Sequence, residues 1–309
     1  DTVIANGGNG NEQIHVTLSG GVVTVGGLTE TITLTNAEAQ DALTVNALGG
    51  NDTVDASRLP ATAPHLTIDG GAGNDTIIGG SGSDLLLGGD GNDMVTGGRG
   101  DDTVFLGDGD DRFVWNAGDG RDTVEGQTGF DAVQVNGSDA TEQFDVFANG
   151  TRAGLAHGAD GIVLEMNGIE RVGIHTLGGT DTVTVEGLTG SGFTQVAIDL
   201  TATLGRAAAD AGRDTVFLQG SAGDDTVTIA SVGKEIVVTG LAASVTIDHA
   251  GANDVLTVNG LGGNDVIDAG KLAGNTLHLQ LNGGEGADTL IGGAGNDLIN
   301  GGRGDDVAL

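Results

Sequence analysis

The sequence predicts an all-β chain wound as a parallel β-solenoid, and three observations carry that prediction. Glycine and aspartate recur every nine residues from Gly70 to Phe105, as in "GGAGNDTII" (Gly70–Ile78). Residues 1–96 align with residues 214–309 without a gap at a shift of 213. Elsewhere short alternating runs such as Thr31-Ile32-Thr33-Leu34 recur between glycine-rich turns, and no apolar spacing of three and four residues is sustained. Alternation at period two marks strands, and fixed self-similarity marks a repeat architecture. The competing architecture is a set of antiparallel, sandwich-like blocks alternating with nonapeptide rows.

Composition narrows what such a chain can bury and bind. There are 60 glycines, no cysteine and no tyrosine, and aromatic residues make up 3% of the sequence. A core without large rings must be filled by small aliphatic side chains in thin, stacked layers. Forty-four acidic residues against 11 basic ones give a net charge of −33. That field repels nucleic acid and anionic membrane surfaces, so neither is an expected partner, and it attracts cations. Without thiolates the available ligands are oxygens, which select hard cations. No apolar run is long enough to span a bilayer. The chain opens at Asp1 in mid-motif, as expected of a piece of a longer protein.

Five tracts follow in order. Residues 1–69 form a divergent β-rich block whose apolar centres Ile14, Val23, Ile32, Leu43 and Val54 step by nine to eleven residues. The step suggests that the solenoid already runs through this block. Residues 70–134 are a nonapeptide row: four strict copies to Phe105, a looser Leu106–Val114, the insertion Trp115–Asn116, then "AGDGRDTVE" and "GQTGFDAVQ". Phe113 and Trp115 are expected to pack a coil corner. Residues 135–213 are a degenerate block in which "VNGSDATEQFDV" echoes "ANGGNGNEQIHV" of Ala5–Val16, and which ends with the glycine–aspartate row lost. Residues 214–282 repeat 1–69, and 283–309 form a second row.

Within one nonapeptide, the last three or four residues suit a strand with its central aliphatic side chain turned inward. Ile77, Leu86, Val95 and Val104 occupy that place. The six preceding residues must turn the chain, and glycine permits the positive φ and close backbone contact a tight turn needs. Turn plus strand makes half a coil, so about 18 residues complete one and the next stacks roughly 4.8 Å away. Aspartates nine apart then fall on opposite edges, while those eighteen apart share an edge. Stacked carboxylates repel unless a cation lies among them, and carboxylates with turn carbonyls form an all-oxygen set suited to Ca²⁺.

The pattern G-G-x-G-x-D-x-U-x, with U aliphatic, resembles the calcium-binding nonapeptide of RTX (repeats-in-toxin) proteins, whose tandem copies form a parallel β-roll. The strict match covers Gly70–Phe105 and Gly283–Leu309, about a fifth of the chain. The resemblance implies that Asp75, Asp84, Asp93, Asp102, Asp111, Asp288, Asp297 and Asp306 are calcium ligands, with Asp122 and Asp131 added by the looser copies. It also implies secretion, typically from a Gram-negative bacterium and here to the cell surface. Asp52 and Asp265 keep only "GGND" and stand between calcium ligand and turn cap, and Asp181 is equally open.

No catalytic constellation is evident. None of the six histidines begins an H-E-x-x-H, no serine stands in G-x-S-x-G, and there is no P-loop. The histidines read as solvated or capping residues. Arg99-Gly100-Asp101 and Arg303-Gly304-Asp305 fall on motif positions three to five, where the side chains vary around a fixed glycine. Two functions remain: a calcium-stiffened structural or adhesive protein (stalk, fibre or lattice component, with copies of itself as candidate partners), and the calcium-triggered secretion and folding module of a toxin or hydrolase. The nearly intact 213-residue duplication favours the first, because it builds length.

Overall fold

A computed structural model of the chain describes residues 1–158, 161–204, 212–274 and 276–309, the side chain of Ile162 excepted. Among these residues the regular elements are strands and no α-helix occurs, so no helix is long and apolar enough to cross a membrane. The chain divides into two compact units: Asp1–Val135 with Val163–Glu170, and Asn136–Ile162 with Arg171–Leu309.

In the first unit the chain passes alternately between two largely parallel sheets. One carries Thr2–Gly8, Ala42–Leu48, His65–Ala72, Leu85–Asp90, Thr103–Asp108 and Asp122–Thr128 side by side in chain order. The other carries Thr53–Arg58, Thr76–Ile78, Met94–Thr96 and Arg112–Asn116. Thr76, Met94 and Arg112 are register partners on one sheet, and Thr67, Leu85 and Thr103 on the other. Each coil of the row therefore takes 18 residues, two nonapeptides, as the sequence predicts.

The inward positions explain the aliphatic residue of the motif. Ile77, Leu86, Val95 and Val104 are fully buried, each above its equivalent in the next coil. Phe113 and Trp115 are buried as well, and the Trp115 indole Nε1 donates to the Gly120 carbonyl at 3.1 Å. The large ring is held inside the coil lengthened by the Trp115–Asn116 insertion, with its one polar atom satisfied.

The divergent block departs from the predicted unbroken step. Ile14, Val23 and Ile32 do not head successive coils. Gln13–Ser19, Val22–Gly26 and Ile32–Thr35 form an antiparallel meander, in which Val16 opposes Val25 and Val23 opposes Leu34. The parallel winding resumes around it, since Thr2 pairs with Ala42 and Gln13 with Thr53. The cause is local turn chemistry. Gly20 and Gly21 both have positive φ (59° and 78°), the two-residue turn whose twist matches antiparallel strands. The antiparallel element is thus an insertion in a parallel coil, and the sandwich alternative does not describe it.

The second unit repeats the scheme. Thr215–Gln219, Val255–Gly262, His278–Glu285 and Leu298–Arg303 stack in parallel on one sheet, and Thr226–Val232, Val266–Lys271, Thr289–Ile291 and Val307–Ala308 on the other. Hairpins recur at Gln143–Asn149 with Arg152–His157, and at Thr226–Val232 with Glu235–Thr239. Gly150 and Gly233 supply the positive φ (67° and 66°). The stretch after Leu200, where the sequence loses its glycine–aspartate row, includes residues 205–211, which lie outside the described residues.

Candidate metal centre

The nonapeptide aspartates stand at the ends of turns, before or at the start of a strand, and hydrogen bonds from backbone amide to carboxylate Oδ1 link many of them from coil to coil. The Asp75 amide donates to Asp93 Oδ1 at 2.8 Å, the Asp93 amide to Asp111 Oδ1 at 2.7 Å, and the Asp111 amide to Asp131 Oδ1 at 2.9 Å. On the opposite edge the Asp84 amide donates to Asp102 Oδ1 and the Asp102 amide to Asp122 Oδ1, both at 2.9 Å. Aspartates eighteen apart share an edge and those nine apart do not, as predicted. Asp122 and Asp131 occupy full rungs, because the ladder absorbs the two-residue insertion by a step of 20.

The second carboxylate oxygen is the unusual one. Oδ2 of Asp75, Asp93, Asp102, Asp111, Asp122, Asp131 and Asp288 is buried with no hydrogen-bond partner. At Asp75, Asp93, Asp102, Asp131 and Asp288 it faces the glycine five residues upstream (a Cβ built on Gly70 would lie 2.5 Å from Asp75 Oδ2, and one on Gly88 2.5 Å from Asp93 Oδ2), whereas Leu106 and Ala117 hold that place before Asp111 and Asp122. Where the motif's first glycine is present, its missing Cβ leaves room for the carboxylate. The glycine at motif position four has another duty. Gly91 has φ of 123°, and its missing Cβ leaves space for the Gly73 carbonyl of the preceding coil.

Burying these carboxylates disfavours their charged form. Desolvation pushes Asp102 up to about 8, with the negative charges of Asp122 and Asp84 adding to it. Burial likewise raises Asp93 and Asp122 to about 7, and Asp84 and Asp131 to about 6. Asp75 and Asp111 are raised for the same reason. A row of buried carboxylates with unused oxygens requires either protons or cations. Among the described residues no three acidic or histidine side chains converge as a metal cluster. A cation here would be held by one or two carboxylates together with turn carbonyls, an oxygen-only set that fits Ca²⁺. The observation that supports the fit is the buried, unsatisfied Oδ2 row.

In the second row, Asp288 donates its amide to Asp306 Oδ1 at 3.1 Å. Asp306 and Asp297 are half-buried, and their Oδ2 atoms face Gly301 and Gly292 in the same orientation. Asp52 and Asp265, open from sequence, are rungs of the same kind. Asp52 receives the Glu12 amide on Oδ1 at 2.7 Å and donates to Asp75 Oδ1 at 2.7 Å. Asp265 receives from Asp225 and donates to Asp288, both at 2.8 Å. Asp181 belongs to a ladder that sequence reasoning missed, in which the amides of Glu142, Asp181 and Asp214 donate to Oδ1 of Asp181, Asp214 and Asp254. Its members share one legible mark, an acidic residue at the turn's end just before a strand.

A second ladder runs at motif position five, which sequence reading treated as free. Asn74, Asn92 and Asp110 each take, on the side-chain oxygen, the amide of the residue 18 or 20 further on, at 2.9–3.0 Å. The same demand explains the Arg-Gly-Asp tripeptide. Gly100 has φ of 118° in the turn, and Asp101 Oδ1 accepts the Arg121 amide at 3.1 Å. Among the histidines, His157 contacts Glu142 and His249 contacts Asp199, both at 2.9 Å.

No curated protein matches the chain. A family profile does, in four copies covering residues 67–95, 87–114, 257–271 and 280–308, less than a third of the sequence. That profile is the RTX calcium-binding nonapeptide repeat. Its matched stretches contain the aspartates with the buried, unused oxygens at 75, 93, 102, 111 and 288, so what these tracts are follows from both: the chain carries RTX calcium-binding nonapeptide repeats.

Proposed function

We propose that this is a calcium-binding structural repeat protein of the extracellular space, a stalk, surface fibre or lattice component that Ca²⁺ folds and stiffens, carried by a Gram-negative cell and without catalytic activity of its own. The single observation that supports this most is the 213-residue duplication, which repeats a block and its row together. The tracts 1–69, 70–134, 135–213, 214–282 and 283–309 are then modules of a tandem array, not the tail of an enzyme. Extracellular calcium modules work at dissociation constants of roughly 10⁻⁴–10⁻³ M, so the chain would stay unfolded in calcium-poor cytosol and fold outside.

Immunogold labelling of cells producing the whole parent protein tests the reading. Label on fibres or a layer at the cell surface supports it. Label absent from the surface, with the protein free in the medium beside a hydrolytic or toxic activity, favours a secretion and folding module instead.

A further inference from the structure

A cleft recurs at one place in both units. In the first it has a volume of about 480 Å³ and takes in Gln40, His65 and Ser83. In the second it has about 470 Å³ and takes in Asn253, His278 and Asn296, the residues 213 positions on. Parallel stacking builds it. In the second unit the strands Thr215–Gln219, Val255–Gly262, His278–Glu285 and Leu298–Arg303 lie side by side, with Thr215 in register with Val255 and Val255 with His278. The residues at or just before the strand starts, Arg213, Asn253, His278 and Asn296, therefore form one row across four neighbouring strands.

The two clefts differ in charge. Asp84 lines the first, and no arginine or lysine does. Arg213 lines the second, and among the described residues no acidic side chain joins it. In a chain with 44 acidic residues and 11 basic ones, that is a local reversal of sign. The side chains of Arg213, Asn253, His278 and Asn296 make no hydrogen bond or ion pair, so their donors are available.

We infer that the cleft of the second unit binds an organic carboxylate with a short aliphatic body. The Arg213 guanidinium is a planar fork of donors that matches a carboxylate. The imidazole and the two carboxamides supply further donors around it. Leu298, 60% exposed, also lines the cleft and offers the aliphatic body an apolar wall. Its counterpart Leu85 is still 37% exposed with the strand Thr103–Asp108 paired beside it, so this position faces outward in both units. The first cleft, with Asp84 in place of a cation, repels the same ligand.

Nuclear magnetic resonance of the histidine rings tests this, on the full chain in saturating calcium titrated with N-acetyl-leucine or with N-acetyl-leucinamide. The acid should move the His278 signals and leave those of His65 in place. The amide has the same body without the charge and should move neither. Arg213→Gln, at an exposed position, should keep the β-spectrum and weaken the acid about tenfold. A His278 signal unmoved by the acid, or moved equally by the amide, overturns the inference. Equal affinity for the wild type and Arg213→Gln overturns it too. That last result is the one expected of an acid that only meets calcium in the rows, and it leaves the calcium reading standing.

Discussion

The Asp75 amide donates to Oδ1 of Asp93 at 2.8 Å, while Oδ2 of that same carboxylate lies buried against Gly88 with no partner. One oxygen holds the coils in register and the other remains for a cation. Coil geometry and metal binding thus meet in a single side chain.

Gly88→Ala tests the room kept for that carboxylate. Its Cβ would stand 2.5 Å from Asp93 Oδ2 and press on the Leu106 carbonyl. The backbone carbonyl cannot yield, so a loss of about 2 kcal/mol or more is expected in saturating calcium, together with weaker calcium binding. Gly21→Ala, strained only by its φ of 78° in open space, should cost about 1 kcal/mol and leave calcium binding alone. Denaturant unfolding of both variants measures the difference.

Leu86→Ala opens a cavity at a fully buried position between two neighbouring coils. A cost of about 2–5 kcal/mol is expected. Leu85→Ala, at a position 37% exposed, should stay within about 0.5 kcal/mol. Thermal melts in calcium that fail to separate the two would contradict the inward assignment.

Asn92→Ala removes one rung of the outer ladder, the acceptor for the Asp110 amide at 3.0 Å. The residue is exposed, so water can replace part of the bond and the expected loss is about 0.5–1.5 kcal/mol. Hydrogen exchange at the Asp110 amide should quicken selectively.

Acid should partly substitute for calcium. The folded-state values of Asp84, Asp93, Asp102, Asp122 and Asp131, about 6 to about 8, lie above the ordinary 3.8, so the folded chain binds more protons across the intervening window. Stability in chelator is therefore greatest below about pH 4 and declines as pH rises toward 8. Calcium affinity runs the other way, because cation and proton compete for the same oxygens. Melts in chelator at pH 5 and pH 8 check the first sign, and calcium titrations at pH 6 and pH 8 the second.

The row was legible because its period is strict. Nine residues fix the half-coil, and Ile77, Leu86, Val95 and Val104 could be placed inside before any coordinate. The meander was misread because Ile14, Val23 and Ile32 happen to keep nearly the same spacing. Its signal was the glycine pair Gly20–Gly21, which turns the chain back on itself. The rungs at Glu142, Asp181, Asp214 and Asp254 were harder to see. They lie 33 to 40 residues apart, so no period links them until the coils are stacked.

Circular dichroism during a calcium titration that begins in chelator at neutral pH addresses the role of the aspartates most directly. The wild type is compared with the double variant Asp84→Asn, Asp102→Asn, which removes charge from one edge while leaving hydrogen-bond acceptors in place. The wild type should gain β-structure with a sigmoidal response, since each ordered coil templates the next, and the double variant should need more calcium to reach it. A complete β-spectrum in chelator, unchanged by calcium and by both substitutions, would mean that the buried carboxylates are turn residues and that calcium does not fold this chain.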